Sequence, residues 1–264
     1  MNEHSKNQTL RLRDVEIGRS QRRGPRYRGP KRLSVSQERE VRVSAGSATL
    51  EANFGIPADA QGVVLFAHGS GSGRHSPRNR YVAETLCEAG QVTLLIDLLT
   101  PEEEEEVDMR TRHLRFDIRL LADRLAGATD WLGQNPDTRD LSVGYFGAST
   151  GAGAALVAAA ERSEEVGAIV SRGGRPDLAG DALAHVRAPT LLIVGGNDVP
   201  VIEMNREALE QLRVKKELDI VPGATHLFEE PGALEQVAYL ASGWFVRHLH
   251  SITDSSIASG GTSE

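Results

Sequence analysis

The sequence predicts an α/β fold built on a doubly wound, mostly parallel sheet. One observation is a series of short, continuous apolar runs, such as residues 62–67 and 92–96, which are typical of strands buried on both faces. A second observation is that segments with helical apolar spacing, such as residues 114–132, separate these runs. Strands that alternate with helices form parallel sheets, and right-handed crossover connections place the helices over both faces.

The first two predicted strands form a hairpin. Residues 40–44 and 48–54 alternate apolar and polar side chains around Ala45-Gly46-Ser47. This period of two indicates an antiparallel pair with one solvated face. We expect the hairpin to form an antiparallel edge of the sheet.

After the hairpin, strands and helices alternate to the end of the domain. The strands are predicted at residues 62–67, 92–96, 141–146, 167–170, 190–194 and 217–221. The helices are predicted at residues 80–89, 114–132, 150–161, 203–212 and 234–248. The 19 residues between the strands at 167–170 and 190–194 leave room for a short helix, so we expect no large lid there.

Composition and charge divide the chain into three parts. Residues 1–38 form a basic arm with many Arg, Gly and Pro and few apolar side chains, which predicts disorder. Residues 39–250 are predicted to form one folded domain, and residues 251–264 form a flexible Ser/Gly-rich tail. Residues 1–42 carry a charge balance of +7, whereas the rest of the chain carries −14. An acidic domain argues against a nucleic-acid-binding surface, and an anionic partner for the arm stays open.

Neither a membrane span nor a secretory signal is predicted. No apolar run approaches the roughly 20 residues that a bilayer-spanning helix needs. The first 30 residues lack the apolar core of a signal peptide. The single cysteine, Cys87, excludes an internal disulfide and fits a reducing compartment, so we expect a cytoplasmic protein.

Ser149 is the candidate nucleophile. The predicted strand at residues 141–146 runs into Gly147-Ala-Ser149-Thr-Gly151 and then directly into a predicted helix. This is the context of the nucleophile elbow, in which a strained serine needs small residues two positions away on either side. The N-terminus of the following helix places positive dipole where an oxyanion would form. The alternative is that Ser149 only caps the helix.

A glycine-rich loop supplies a second part of the predicted site. The strand at residues 62–67 ends in His68-Gly-Ser-Gly-Ser-Gly73, where backbone N–H groups can approach a ligand closely. We expect an oxyanion to be bound by an N–H of the Gly69–Ser70 region and by the N–H of Thr150. The glycine spacing matches neither phosphate-loop pattern, so a nucleotide site has weak support. His68 is expected to support the loop by hydrogen bonding rather than to act as a base.

Asp198 and His226 are the candidate acid and base. Asp198 follows a predicted buried strand on a glycine-rich turn, and His226 follows the next predicted strand. Ligands bind at the carboxyl ends of the strands in open sheets of this kind, so both side chains are expected at the same edge as Ser149. The chain order Ser, Asp, His also matches the nucleophile-elbow arrangement. Asp97 is a rival acid, but it precedes the nucleophile in the chain.

Four segments resemble the dienelactone hydrolase-like branch of the α/β-hydrolases. They are LFAHGSGSGRHSPRNRYVAETL, GYFGASTGAGAALVAAA, LLIVGGNDVPV and VPGATHLFEEPGAL, within a similarity that covers residues 45–250. The resemblance implies an α/β-hydrolase fold, with Ser149 as nucleophile, Asp198 as acid and His226 as base.

One departure from the family pattern affects the implied activity. Authentic dienelactone hydrolases have Cys where this chain has Ser149, so the resemblance implies generic ester hydrolysis rather than cleavage of dienelactone itself. Relatives of this Ser-containing type are sometimes associated with phosphoribosyltransferase domains. This chain contains no recognisable domain of that kind.

Arginines near the predicted strand ends suggest an anionic substrate. Arg74 follows the glycine-rich loop, and Arg172 follows the predicted strand at residues 167–170. Guanidinium groups bind carboxylate or phosphate bidentately, so both are candidate substrate contacts. The alternative is ion pairing with the acidic domain, including the glutamate run at residues 102–106. No His or Asp completes a ligand set around that run, so no metal site is predicted.

These features together predict a serine hydrolase that cleaves an ester or related acyl bond of a small to medium soluble substrate. His226 would take the proton of Ser149, which attacks the carbonyl, and water would then release the acid from the acyl-enzyme. This chemistry needs neither a metal nor a cofactor. A thioesterase, peptidase or acyltransferase with the same triad stays open, and so does a hydrolase-fold binding or regulatory protein whose triad is idle.

Overall fold

The computed structural model describes residues 37–249, which form one sheet with helices on both of its faces. The strands are β1 (Gln37–Ala45), β2 (Ala48–Ile56), β3 (Gly62–Ala67), β4 (Gln91–Ile96), β5 (Val143–Ala148), β6 (Val166–Arg172), β7 (Thr190–Gly195) and β8 (Lys216–Val221). The α-helices are α1 (Pro77–Glu88), α2 (Met109–Thr111), α3 (Ile118–Gln134), α4 (Thr150–Glu161), α5 (Val199–Gln211) and α6 (Ala233–His248). Shorter helical turns cover Glu103–Asp108, Leu114–Phe116 and Pro176–His185.

The sheet has the strand order β1-β2-β4-β3-β5-β6-β7-β8. Strand β1 pairs antiparallel with β2, and β2 pairs antiparallel with β4. All other neighbouring strands are parallel. This arrangement confirms the predicted mostly parallel sheet with an antiparallel N-terminal hairpin at its edge.

Two apolar layers pack against the sheet because successive side chains of a strand point to opposite faces. In β3, Val63 and Leu65 join the layer that contains α3 and α4. Val64 and Phe66 join the layer that contains α1 and α6, where Trp244 is fully buried. Fully burying one such large side chain contributes about 1.5–3 kcal/mol, so the continuous apolar runs require cover on both faces.

The observed helix starts differ from the predicted ones for a common reason. Helix α1 begins at Pro77 and helix α5 at Val199, each with a proline in its first turn. Proline is well suited to the first turn because its missing N–H needs no partner there. The predicted starts at residues 80 and 203 followed the first clear apolar spacing and were therefore too late.

The segment between β4 and α3 is more structured than predicted. Its glutamate run enters a helical turn at Glu103–Asp108. Helix α3 begins at Ile118 rather than at residue 114, because the carboxylate of Asp117 accepts from the N–H of Leu120 at 3.0 Å and caps the helix there.

The connection from β6 to β7 is short. It contains the 3₁₀ segment Pro176–His185, with a kink at Gly180, and no longer helix. The prediction of no large lid at this point is confirmed.

The predicted basic arm and C-terminal tail lie outside the described residues, apart from Gln37 and Glu38, which already belong to β1. Within residues 37–249, no helix has the length and apolar character that crossing a bilayer would require.

Candidate active site

The predicted site residues lie at the carboxyl edge of the sheet. Ser149 directly follows β5, Asp198 lies on the turn after β7, and His226 lies on the loop after β8. Gly69 and Ser70 follow β3, which is hydrogen-bonded to β5. The order of the parallel strands therefore brings these loops to one side of the domain.

Ser149 has an unusual backbone conformation, with φ 50° and ψ −123°. A non-glycine residue at positive φ costs of order 1–3 kcal/mol, which the surrounding structure must offset. The N–H of Ser149 donates to the carbonyl of Arg172 at 3.2 Å, and its own carbonyl accepts from the N–H of Arg175 at 3.0 Å. These bonds to the last residue of β6 and to the loop that follows it hold the strained turn in place.

The two glycines that flank Ser149 permit a close approach of backbones. A Cβ on Gly151 would lie 2.2 Å from the carbonyl oxygen of Ala67 and 2.4 Å from that of His68. A Cβ on Gly147 would lie 2.5 Å from Cα of Ala152. Side chains are therefore excluded at both positions, which is the steric reason that the sequence pattern predicts.

His226 and Asp198 form a close pair. Nδ1 of His226 lies 2.6 Å from Oδ2 of Asp198, and their side chains are 39% and 14% exposed. With the ring N–H at Nδ1 donating to the carboxylate, Nε2 is left free to accept a proton. Asp198 is the N-cap residue of α5, although its side chain makes no capping hydrogen bond. Its position is therefore set by β7 before it and by α5 after it.

The loop of His226 packs against Gly173, the residue that follows Arg172. A Cβ on Gly173 would lie 3.2 Å from the carbonyl oxygen of His226 and 3.5 Å from its Nδ1. Arg172, the neighbour of Gly173, accepts the hydrogen bond from Ser149. The structure thus brings Ser149 and the His226–Asp198 pair to the same edge of the sheet, on either side of Arg172 and Gly173 in the chain of contacts.

The Gly69–Ser70 peptide is held in one orientation next to Ser149. A Cβ on Gly69 would lie 3.1 Å from Cβ of Ser149. The carbonyl of Gly69 accepts from Nδ1 of His68 and from the N–H of Ser72, both at 3.0 Å. Because a trans peptide points its N–H away from its C=O, these bonds also set the direction of the Ser70 N–H.

Thr150 provides the other predicted donor. It is the first residue of α4, so its N–H has no acceptor within the helix. An oxyanion beside Ser149 would meet this N–H and the positive end of the helix dipole.

His68 supports the loop, in agreement with its predicted role. Its Nδ1 bonds the Gly69 carbonyl, and its Nε2 accepts from the N–H of Leu98 at 3.0 Å. Both ring nitrogens are therefore occupied by backbone groups in the neutral imidazole. Burial lowers the pKa of His68, and this outweighs the opposing effects of the Gly69 hydrogen bond and nearby carboxylates.

Arg74 is engaged elsewhere in the structure. Its Nη1 lies 2.6 Å from Asp97 and 2.7 Å from Glu51, and its Nε donates to Asn53. These partners favour the alternative interpretation, in which Arg74 forms ion pairs within the acidic domain. The same contacts occupy Asp97, the rival acid.

Arg172 has a different environment. It is 8% exposed, and its Nη1 is buried with no hydrogen-bond partner among residues 37–249. Its guanidinium carbon lies 5.9 Å from the ring centroid of Phe146. Of the two predicted substrate contacts, Arg172 is the one that has no carboxylate partner among residues 37–249.

Cys87 lies in α1, away from the elbow, as the sequence predicts. It is buried beside Gly55 and Thr93, on β2 and β4. Burial, with the nearby charges of Glu88 and Glu38, raises the pKa of the Cys87 thiol to about 11. This thiol is poorly suited to act as a nucleophile.

Asp108 and Arg115 are part of the site region and were missed by the sequence analysis. Asp108 is fully buried and pairs with Nε of Arg115, whose Nη1 donates to the carbonyl of Ser70 at 3.1 Å. The sequence feature that could have identified this pair is the group of arginines after the glutamate run, but the partners of these arginines depend on how the segment folds.

Within the described part of the chain, no group of three His, Cys, Asp or Glu side chains is arranged to hold a metal ion.

Comparison with curated proteins finds two relatives from Mycobacterium tuberculosis, which are provisionally named phosphoribosyl transferases. Each is 61% identical over 213 residues, which is 81% of this chain and 47% of the relative. The chain therefore spans about half the length of the curated relatives it matches.

Comparison with solved structures finds a dienelactone hydrolase from Anabaena variabilis. It is 70% identical, with a TM-score of 0.79, and the match covers 81% of this chain and 99% of that protein. Est1E from Butyrivibrio proteoclasticus is 16% identical with a TM-score of 0.66, and the match covers 79% of this chain and 98% of that protein, which shows the shared fold.

The Dienelactone hydrolase family profile matches residues 50–245, which include every strand from β3 to β8 and all three residues of the predicted triad. With the strand order, the elbow and the Anabaena relative, this match identifies the chain as a member of the Dienelactone hydrolase family, with the α/β-hydrolase fold.

Proposed function

We propose that the protein is a serine hydrolase that cleaves a carboxylic ester, or a related acyl bond, of a small to medium soluble substrate. The observation that carries this proposal is the strained backbone of Ser149 at φ 50° between β5 and α4. Strain of this kind persists only where the surrounding structure imposes it, and it commonly marks a functional residue. The 2.6 Å pair of His226 and Asp198 on the loops after β8 and β7 supplies a base with its orienting carboxylate.

The proposed reaction proceeds in two steps. His226 removes the proton of Ser149 as its Oγ attacks the substrate carbonyl, and Asp198 stabilises the resulting imidazolium. The N–H groups of Ser70 and Thr150 bind the oxyanion. The proton passes from His226 to the leaving alcohol, and the acyl-enzyme forms. Water, activated by His226, then releases the acid and restores Ser149.

The names of the relatives support hydrolysis but do not define the substrate. The Anabaena relative is named a dienelactone hydrolase. We propose esters rather than dienelactone itself, because Ser149 stands at the position where authentic dienelactone hydrolases have Cys. The transferase name belongs to proteins about twice as long as the matched part, so we assign hydrolysis to the part shared with this chain.

The surroundings of the triad fit a substrate of modest size. The connection between β6 and β7 carries no large lid. Val199 and Leu227 directly follow Asp198 and His226 and are 61% and 44% exposed. Apolar side chains beside the acid and the base offer a surface for the carbon chain of an ester.

A covalent probe tests the proposal. A fluorophosphonate should label the wild type at Ser149, and Ser149→Ala should abolish labelling and lower kcat/KM for p-nitrophenyl butyrate by roughly 10⁴-fold or more. Cys87→Ser is the matched control and should keep both. An unlabelled wild type would contradict the proposal and favour an idle triad. Labelling without ester turnover would favour a thioesterase, peptidase or acyltransferase, which a panel of thioesters, peptides and acceptor alcohols would separate.

A further inference from the structure

The short segment 173–175, which follows β6, contacts both the nucleophile and the base. The N–H of Arg175 donates to the carbonyl of Ser149 at 3.0 Å. A Cβ on Gly173 would lie 3.5 Å from Nδ1 of His226, so the backbone of Gly173 lies directly against the imidazole ring. The position of this segment therefore sets where the nucleophile lies relative to the base.

Gly174, in the middle of the segment, packs closely against β6 and α4. A Cβ on Gly174 would lie 1.9 Å from Oγ of Ser171, on β6, and 2.6 Å from Cβ of Ala152. Ala152 belongs to the first turn of α4, which begins directly after the nucleophile. A shift of the Gly174 backbone would therefore be felt at the start of α4.

Asn205 holds the same segment from α5. It is fully buried, and its Nδ2 donates to the carbonyl of Gly174 at 3.0 Å. Nδ2 also donates to the carbonyl of Val201, one turn earlier in the helix, at 2.8 Å. Both donors of the amide are then used, one on its own helix and one on the segment. Asn205 thus connects α5 to the backbone between the nucleophile and the base.

Helix α5 also carries the candidate acid. Asp198 is its N-cap residue, and Asn205 follows about two turns later. The carboxylate of Asp198 accepts from Nδ1 of His226 at 2.6 Å. A single helix therefore orients the carboxylate that holds the base and, through Asn205, the segment that anchors the nucleophile.

Stability alone does not account for an asparagine at this position. Oδ1 of Asn205 is buried and has no hydrogen-bond partner within residues 37–249. A buried polar atom without a partner is unfavourable, and an apolar side chain of similar size would avoid this cost. The residue type is therefore explained better by what its two donors hold than by its burial.

We propose that Asn205 is a positioning residue, which aligns the nucleophile with the base through its hydrogen bond to Gly174. This inference rests on the proposed function, because it concerns the geometry of the same site. Proton transfer from Ser149 to His226 requires the two side chains to come within hydrogen-bond reach, and small misplacements of reacting groups slow a reaction strongly. Asn205 acts on this distance through the backbone of segment 173–175.

Steady-state kinetics test the inference with Asn205→Leu, which removes both donors and keeps a side chain of similar volume. The kcat for p-nitrophenyl butyrate should fall about tenfold to hundredfold. KM should change little, because binding of the ester does not depend on the alignment of the base. The rate at which a fluorophosphonate labels Ser149 should fall by a similar factor, since the same nucleophile reacts. Wild-type kcat and labelling in Asn205→Leu would overturn the inference.

Thr129→Val is the matched control. The buried hydroxyl of Thr129, on α3, bonds the carbonyl of Leu125 in its own helix and the hydroxyl of Tyr145 on β5. The control therefore also removes a buried hydrogen bond between a helix and another element, but one outside segment 173–175. It should lower the free energy of unfolding in urea and keep kcat. A loss of kcat as large as that in Asn205→Leu would show a general effect of a weakened core and contradict the positioning role.

Asn205→Asp adds a pH-dependent test in a side chain of the same shape. A protonated carboxyl can donate to the carbonyl of Gly174, whereas a carboxylate cannot. Burial raises the pKa of a carboxyl, so the ratio of the variant's kcat to that of the wild type should fall as pH rises. This variant carries the test if Asn205→Leu fails to fold. A ratio that stays at one up to the alkaline limit of the folded protein would count against the inference.

A spectroscopic measurement separates failure of this inference from failure of the proposed function. The proton between Nδ1 of His226 and Asp198, whose heavy atoms lie 2.6 Å apart, should give a downfield resonance in proton NMR. That resonance should shift or broaden in Asn205→Leu and stay in place in Thr129→Val. If the wild type hydrolyses no ester and the resonance still depends on Asn205 in this way, the proposed function fails and the positioning role stands. A resonance that is the same in the wild type and in Asn205→Leu, together with equal kcat, would refute the positioning role.

Discussion

Nη1 of Arg115 donates to the backbone carbonyl of Ser70 at 3.1 Å, across 45 residues of sequence. Arg115 is itself held by Asp108, which is fully buried. The segment between β4 and α3 is therefore tied to the loop that we assign to the oxyanion hole. We expect this contact to position the loop for catalysis.

Arg115→Leu should lower kcat for p-nitrophenyl butyrate about tenfold with little change in KM. The oxyanion exists only in the transition state, so a displaced Ser70 peptide affects kcat more than binding. Removing an oxyanion donor typically lowers kcat by about 10²–10³. The loss of kcat in Arg115→Leu should be smaller, because Arg115 affects the oxyanion only through the position of the loop. Steady-state kinetics measure the split between kcat and KM.

Two further variants separate positioning by Arg115 from general stability. Arg115→Lys should recover part of kcat, since its ammonium can reach one of the two partners of Arg115 but lacks the fork to hold both. Arg119→Leu, at an exposed arginine paired with Glu161 on the surface, should leave kcat unchanged. A rise in KM with an unchanged kcat in Arg115→Leu would refute the positioning role.

Acidification should destabilise the fold through His68. Burial lowers the pKa of His68 below its usual value, so the unfolded chain binds a proton at a pH where the folded protein does not. This contribution to stability is fully present above the unfolded pKa of about 6.5 and is lost as pH falls from there toward the folded pKa. The hydrogen bond from the N–H of Leu98 to Nε2 of His68 also favours the neutral ring, because a protonated ring has no lone pair with which to accept it.

The measurement for His68 compares urea unfolding of the wild type and His68→Gln between pH 7.5 and pH 5, spanning the unfolded pKa of about 6.5. Glutamine keeps an acceptor and a donor but does not titrate. The free energy of unfolding of the wild type should decline more steeply than that of the variant as pH falls. Parallel curves for the two proteins would show that His68 does not titrate on unfolding in this range.

Gly151→Ala should destabilise the protein by about 1–3 kcal/mol or more, as overpacking against rigid backbone does. The added Cβ would lie 2.2 Å from the carbonyl oxygen of Ala67, which cannot move without disturbing β3. The matched control is Gly133→Ala in α3, where a Cβ would meet no atom within 4 Å. That variant should gain about 0.5–1 kcal/mol from higher helix propensity.

Urea unfolding measures both the expected loss of stability in Gly151→Ala and the expected gain in Gly133→Ala. Equal and small changes in the free energy of unfolding would show that strand β3 and helix α4 do not approach as closely as described. Retained ester hydrolysis in Gly151→Ala would further contradict the steric account of the elbow.

Asp198→Asn should lower kcat by about 10³–10⁴ while leaving the fold intact, because the amide no longer holds the histidine tautomer or stabilises its cation. Asp59→Asn is the control, since Asp59 is exposed on the turn that precedes β3, at the opposite edge of the sheet. Steady-state kinetics and circular dichroism measure the two effects. Wild-type kcat in Asp198→Asn would remove Asp198 from the triad and leave the role of acid open.

Much of the fold could be predicted because its signals are local. Strand β3 was predicted with its observed bounds, since six consecutive apolar residues between polar and glycine-rich segments can form little else. Helix α4 was likewise predicted with its observed bounds. The starts of α1 and α5 were placed too late because a first turn that holds proline carries little apolar spacing.

The arginines illustrate what local reasoning could not decide. Arg74 and Arg172 both follow predicted buried strands, and both are predicted as substrate contacts. Arg74 turns to Asp97 and Glu51, on the antiparallel side of the sheet, whereas Arg172 has no carboxylate partner among the described residues. Their difference arises from which strands are neighbours, a property that no single segment of sequence contains.

The sequence by itself determined the alternation of strands and helices, the glycine-flanked turn of Ser149, and the order in which serine, aspartate and histidine follow successive strands. These features depend on side-chain period and on local sterics, which act between residues close in the chain. Only the tertiary structure decided that Asp198 lies 2.6 Å from His226, that Asp108 and Arg115 hold the Ser70 loop, and that Arg172 is buried next to the nucleophile without an ion-pair partner among residues 37–249. Those relationships join residues far apart in the chain, and they depend on sheet order and burial rather than on residue type.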